Sequence, residues 1–150
     1  MRTPCFHDIL AVTNAPNPPS NLMSKASVED LKLASHGLRG EIAEQFADTS
    51  LSHITEESSI LLKHHGSYQQ DDRDQRSKLT KEGKDKAWSF MVRSKMPGGR
   101  VTAKQWLIHD DLCAKAMGNI RLTNRQGIQL HGVLKGGMKE VISSVCHSGL

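Results

Sequence analysis

The sequence predicts an α+β domain in which residues 87–150 follow the order β-α-β-β-α behind an N-terminal helical arm. Two observations support this prediction. Apolar and polar residues alternate in three short segments, which is typical of strands that cover one face. Between and after these segments, apolar residues recur at helical spacing in two longer stretches. A chain of 150 residues is long enough to enclose one core of this kind.

Residues 1–26 are predicted to form an extended lead-in. The prolines within Asn14–Ser20 remove backbone donors and cannot continue a helix. The segment lacks the long apolar run of a secretory signal, and no stretch of the chain approaches the roughly 20 apolar residues that span a bilayer. We therefore expect a cytoplasmic protein that does not cross a membrane.

Residues 27–86 are predicted to form a helical arm followed by a charged loop. Ser27 can cap a first helix, and glycines on both sides of Leu38–Arg39 predict a break there. A second helix is expected to start near Thr55. Residues 71–85 are highly charged and almost free of apolar side chains, so a solvated loop is expected.

Five elements are predicted in residues 87–150. They are a strand from Ala87, a helix between Thr102 and Gly118, strands starting at Ile120 and Ile128, and a helix from Met138. Within the first helix, the spacing predicts that Trp106 and Leu107 belong to the buried side. The order is most of a ferredoxin-like unit, and a closing strand is expected beyond Leu150.

One face of the predicted sheet carries the candidate functional residues. Side chains two positions apart on a strand share a face, so Trp88, Phe90 and Val92 would lie under the helices. The opposite face would carry Arg93 with Lys95, Arg121 with Thr123, and Gln129 with His131. A sheet with helices on one face and cations on the other can hold a rigid anion through charge-assisted hydrogen bonds.

Two other interpretations of this cationic face remain open. An antiparallel sheet often leaves a polar face in water without any ligand. A basic chain, with a net charge of +4, also fits a nucleic-acid-binding sheet, although that function favours aromatic side chains on the open face. Here Trp88 and Phe90 share the apolar face, and no aromatic residue is expected on the open one. Nucleic acid is therefore not an expected partner.

Five segments of the chain carry a resemblance to one known family: Gly37–Gly40, His65–Asp74, Met91–Gly99, Lys104–Trp106 and Ile120–Lys135. In their order and spacing they resemble the siroheme-dependent sulfite and nitrite reductases. The run Tyr68–Asp74 makes the resemblance stronger to sulfite reductases, in particular to the N-terminal half-domain of the assimilatory hemoprotein.

The resemblance implies a function for the cationic face. Members of the family reduce sulfite to sulfide by six electrons at a siroheme that is coupled to a 4Fe–4S cluster. By analogy, Arg93 would be catalytic and would hold the sulfite oxyanion beside the siroheme iron. The siroheme itself would be bound by Arg121, Thr123, Asn124, Arg125, Gln126, Gln129 and His131.

The resemblance also implies what lies outside this chain. The family's cluster ligands are four cysteines in a C-terminal half, whereas Cys5, Cys113 and Cys146 are scattered singly here and predict no metal site. We therefore expect an N-terminal fragment that is inactive alone and lacks the cluster-binding domain. The implied partners are sulfite and an electron donor, either a ferredoxin or an NADPH-dependent flavoprotein. A nitrite reductase of the same family is the alternative.

Overall fold

A computed structural model describes residues 27–116 and 118–150, so the predicted lead-in, residues 1–26, lies outside the described residues. The helices are α1 (Val28–Ala34), α2 (Ile42–Ala47), α3 (Glu56–Leu62), α4 (Arg73–Lys81), α5 (Ala103–Cys113) and α6 (Met138–His147). The strands are β1 (Ser67–Asp71), β2 (Trp88–Lys95), β3 (Ile120–Thr123) and β4 (Gly127–Val133). The predicted β-α-β-β-α order is confirmed as β2-α5-β3-β4-α6.

The four strands form one antiparallel sheet in the order β1-β2-β4-β3. In a ferredoxin-like unit the closing strand pairs with the first strand, which here is β2. That edge is already occupied by β1, which precedes the unit in sequence. β1 therefore takes the place beside β2 that a closing strand has in such a unit, and the closing strand expected beyond Leu150 stays a prediction. The polar sequence of β1 lacks an apolar alternation that would have marked it as a strand.

The hydrophobic core lies between one face of the sheet and the helices. Phe90 and Val133 are fully buried partners on β2 and β4, and Val141 of α6 is equally buried against them. The ring of Phe46 from α2 lies 5.2 Å from that of Phe90. Burial of each such side chain contributes about 1.5–3 kcal/mol to stability. Because Phe46 of the arm packs on Phe90 of β2, the arm and the sheet share one core.

Glutamine side chains fasten the arm to the sheet. Gln69 on β1 accepts from the Ile54 amide at 2.7 Å and donates to the Ile54 carbonyl at 3.3 Å. Gln45 on α2 accepts from the Thr55 amide at 2.9 Å. The Gln69 bonds satisfy the backbone of the buried Ile54, which would otherwise lose its hydrogen bonds. The Gln45 bond joins α2 to the exposed Thr55 in the loop before α3. The arm is thus integrated into the fold through β1.

The prediction of a loop over residues 71–85 is wrong, because α4 forms within it. Asp72 caps the helix by accepting from the amides of Asp74 and Gln75 at 2.9 and 3.3 Å. Arg76 donates two bonds of 2.7 Å to Asp71, which joins the helix to β1. Capping and ion pairing support this solvated helix, and neither produces the apolar periodicity by which a sequence predicts a helix.

The buried side of α5 also differs from the prediction. Trp106 and Leu107 are 40% and 60% exposed, whereas His109 and Leu112 are 0% and 3% exposed. His109 can be buried because one ring nitrogen bonds Ser94 Oγ at 2.9 Å and the other bonds a backbone carbonyl one turn earlier at 2.9 Å. A histidine with both nitrogens satisfied therefore takes the place that the apolar pattern gave to tryptophan.

Replacing Gly40 by alanine is expected to destabilise the chain more than the same change at Gly37. Both glycines have positive φ, +47° and +76°, which costs any other residue about 1–2 kcal/mol. A Cβ at Gly40 would also lie 2.7 Å from Cδ1 of Leu61, which is 2% exposed, whereas a Cβ at Gly37 meets nothing within 4 Å. The clash adds about 1–3 kcal/mol. Urea denaturation of both variants measures the difference, and equal losses would contradict this packing.

Within the described part of the chain, no helix has the length and apolar character needed to cross a membrane.

Candidate anion-binding site

Three strands bring two arginines and a glutamine into one row. Arg93 on β2 and Arg121 on β3 are both register partners of Gln129 on the strand between them, β4. Partners across an antiparallel pair project from the same face, and both guanidinium-bearing residues are exposed. The strand spacing separates their backbones by about 10 Å. The predicted placement of both arginines on one face is therefore found in the structure.

The turn between β3 and β4 lies at the end of this row. Thr123 Oγ1 accepts from the Gly127 amide and donates to its carbonyl, both at 3.2 Å, which closes the turn. Gln126 adopts a positive φ of +58°, and its carbonyl accepts from the Met96 amide at 3.1 Å. Because β3 ends at Thr123, Arg125 lies in the turn and does not extend the strand. The exposed turn residues are Asn124, Arg125 and Gln126.

A β-bulge turns His131 toward β1. The register of β2 and β4 shifts so that His131 and Gly132 together stand opposite Met91, and Gly132 adopts a φ of +78°. His131 Nδ1 lies 3.3 Å from Gln70 Oε1, and its Nε2 lies 3.2 Å from the side-chain amide of Gln129. The face that carries the arginines is thus linked by side chains from β1 to β4.

The face is less uniformly polar than predicted. Met91 and Gln129 are only 1% and 9% exposed, so part of the face is packed. Tyr68 is the register partner of Met91, and strand alternation puts it on the same face. The expectation that this face has no aromatic residue is wrong, because the polar sequence of β1 does not predict the strand that carries Tyr68. One tyrosine on an edge strand is far from the two or three stacking aromatics of an RNA-recognition sheet.

The electrostatics of the face favour an anion. Among the described strand residues the only carboxylate is Asp71, whose alternation with Gln70 directs it to the other face. Asp71 is also neutralised by Arg76, whose hydrogen bonds hold the pKa of this carboxyl below its usual range. No strand carboxylate in the described chain therefore offsets the charges of Arg93 and Arg121.

We expect His131 to titrate below its ordinary pKa of 6.5, because burial lowers its pKa and the Arg121 charge lowers it further. The unfolded chain then binds the proton more readily than the folded chain. His131 therefore contributes stability that is present above pH 6.5 and is lost as the pH falls below it. NMR titration of the imidazole tests this, and Arg121→Ala should raise the pKa while Lys104→Ala on α5 should not. A pKa above the ordinary value would contradict the prediction.

No cluster of three or more His, Cys, Asp or Glu side chains that could hold a metal ion occurs in residues 27–116 and 118–150. Cys113 is half-buried and Cys146 is exposed, and both thiols are free.

Comparison with known proteins shows what the chain is similar to. Residues 82–145 match the family model described as the nitrite/sulfite reductase ferredoxin-like half domain. Over this stretch, which is less than half of the chain, the sequence is similar to the nitrite and sulfite reductases. The match begins just before β2 and ends within α6, so this half-domain comprises the β2-α5-β3-β4-α6 unit and carries both arginines of the row.

Full-length relatives of the half-domain carry the name sulfite reductase (NADPH) hemoprotein beta-component. The chain is 42% identical to that of Bacillus pumilus over 136 residues, which is 90% of this chain and 23% of the relative. It is 44% identical to that of Bacillus subtilis over 128 residues, 85% and 22% of the two chains. For Oceanobacillus iheyensis the identity is 46% over 119 residues, 79% and 21%. The chain therefore spans about a fifth of the relatives that it matches.

Proposed function

We propose that this chain supplies the siroheme- and anion-binding N-terminal part of a sulfite reductase, which reduces sulfite to sulfide by six electrons. The observation that carries the proposal is the row formed by Arg93, Gln129 and Arg121 on the face opposite the helices. The names of the full-length relatives favour sulfite as the substrate.

The residues of this face fit a siroheme. A macrocycle that carries many carboxylates needs several cations on one rigid surface, and the strands of this face present arginines without a competing carboxylate. Arg121 and Arg125 would pair with carboxylates of the ring, since a planar guanidinium matches a carboxylate in two bonds. When bound, the siroheme supplies the iron that binds and reduces the substrate. The remaining polar contacts to it would come from Thr123, Asn124, Gln126, Gln129 and His131.

Arg93 would hold the sulfite oxyanion. Its guanidinium, a planar group with five N–H donors, is exposed on the same face as Arg121. A fixed cation next to the sulfite oxygens stabilises the charge that builds up on them as each S–O bond breaks. Arg93 therefore has a catalytic role in this proposal, and the residues of the β3–β4 hairpin have a binding role.

The remaining parts of the reaction are assigned to the rest of the protein. The 4Fe–4S cluster would be bound by cysteines of a C-terminal half, so the chain alone would be inactive. The electron donor would be an NADPH-dependent flavoprotein, in keeping with the names of the relatives, or a ferredoxin. We propose a cytoplasmic location for the whole enzyme.

A chimera tests the proposed function. This chain would replace the corresponding segment of the Bacillus subtilis relative in a host that makes siroheme. With reduced methyl viologen as the donor, we expect sulfide to form from sulfite faster than ammonia forms from nitrite. A preference for nitrite would identify a nitrite reductase instead. A chimera that folds but lacks a Soret band would contradict the proposal.

A further inference from the structure

We infer that Gln70, His131 and Gln129 form a hydrogen-bonded relay that fixes the direction of the Arg93 guanidinium. The relay runs across the open face from β1 through two side chains of β4 to β2. It deepens the proposed function and rests on it only for the identity of the anion that Arg93 holds. It assigns a positioning role to Gln70, which lies outside the half-domain match.

The direction of each hydrogen bond follows from the arginine end of the relay. A guanidinium only donates, so the Gln129 side-chain oxygen must face it. In that orientation the oxygen accepts from Arg93 Nη2 at 2.9 Å and from Arg93 Nε at 3.1 Å. The Gln129 NH2 group then donates to His131 Nε2 at 3.2 Å.

The histidine is thereby restricted to one neutral tautomer. Its Nε2 accepts from Gln129 and so cannot carry a proton, which places the proton on Nδ1. The Nδ1–H group lies 3.3 Å from Gln70 Oε1, which can accept the bond. Burial and the charge of Arg121, which both lower the pKa of His131, favour the neutral ring that the relay requires.

The environment keeps these side chains in place. Gln129 is 9% exposed, so its amide has little access to water as an alternative partner. The bulge at Gly132 aims His131 at β1, and Gln70 is held on a strand that is paired along its length to β2. Within the described residues, two donors of Arg93 are engaged by Gln129, and its other three N–H groups remain for an anion. A preorganised guanidinium loses less conformational entropy when it binds.

NMR of the ¹⁵N-labelled 150-residue chain without any cofactor tests the relay. We expect His131 to carry its proton on Nδ1 and the Arg93 Hε signal to exchange slowly with water. In Gln70→Leu, the Nδ1 proton of His131 loses its acceptor and should exchange faster with water, while Gln129 keeps it on Nδ1. The tautomers should become mixed in Gln129→Leu, which removes the donor to Nε2. In Gln129→Leu, Arg93 Hε should exchange about tenfold faster, which corresponds to about 1.4 kcal/mol.

Gln69→Leu is the matched control, because Gln69 lies on the same strand but bonds Ile54 on the other face. It should lower stability without changing the His131 tautomer or the exchange of its Nδ1 proton. A proton on Nε2 in the unmodified chain would overturn the relay even if Gln70→Leu failed to fold, and so would an unchanged exchange rate of the Nδ1 proton in a folded Gln70→Leu. Because no siroheme is present, this outcome is independent of whether the chimera binds one.

Discussion

Replacing Arg93 by serine in the chimera is expected to lower sulfite turnover by about 10²–10³-fold, the usual effect of removing one donor that stabilises a developing oxyanion. The siroheme content should stay near that of the unmodified chimera, because Arg121 and Arg125 still face its carboxylates in the proposed arrangement. The measurement is sulfide production per siroheme, with heme quantified from the visible spectrum.

Lys104→Ser is the control for this change. Lys104 is exposed on α5, which packs on the other face of the sheet, so turnover should be unaffected. If Arg93→Ser lost the siroheme together with the activity, Arg93 would be a cofactor-binding residue and not a substrate-binding one. Unchanged turnover per siroheme would contradict any role for Arg93 in catalysis.

Replacing Phe90 by alanine should destabilise the 150-residue chain by about 3–5 kcal/mol, the typical cost of removing a buried aromatic ring. Phe90 is fully buried, it contacts Phe46 of the arm, and its register partner Val133 is equally buried. The free energy of unfolding of a typical domain is only about 5–15 kcal/mol, so this loss would remove a large part of the stability. Urea denaturation followed by circular dichroism measures the loss.

Leu107→Ala provides the comparison for Phe90→Ala. Leu107 is 60% exposed on α5, so its replacement should change the free energy of unfolding by no more than about 0.5 kcal/mol. A loss at Leu107 as large as that at Phe90 would mean that α5 is rotated toward the side that the sequence pattern predicted.

The sequence predicted the half-domain because its strands and helices have one covered face each. Phe90 and Val92 on β2 alternate with residues of the other face, and α6 has a clear apolar stripe. It predicted neither the strand β1 nor the helix α4, because their polar sequences carry no apolar periodicity. β1 forms because β2 offers an unpaired edge, and α4 because Asp72 caps it, so pairing and capping decided both elements.

The candidate site was predictable only in part, because some of its contacts depend on long-range strand pairing. Strand alternation alone placed Arg93 and Arg121 on one face, and the structure agrees. The contact between Gln70 and His131 joins residues 61 positions apart and depends on the bulge at Gly132. Neither the long-range register nor the bulge is visible in a local pattern, so only the three-dimensional arrangement connects the arm to the site.

The siroheme-to-protein ratio of the Arg121→Glu chimera tests the cationic face most directly. Reversing this charge puts a carboxylate in the row with Arg93 and Gln129, where it would repel the carboxylates of the ring. We expect the ratio to fall severalfold relative to the unmodified chimera, whereas the same charge reversal at Lys104, on α5, should leave it unchanged. Full siroheme occupancy in Arg121→Glu would contradict binding at this face.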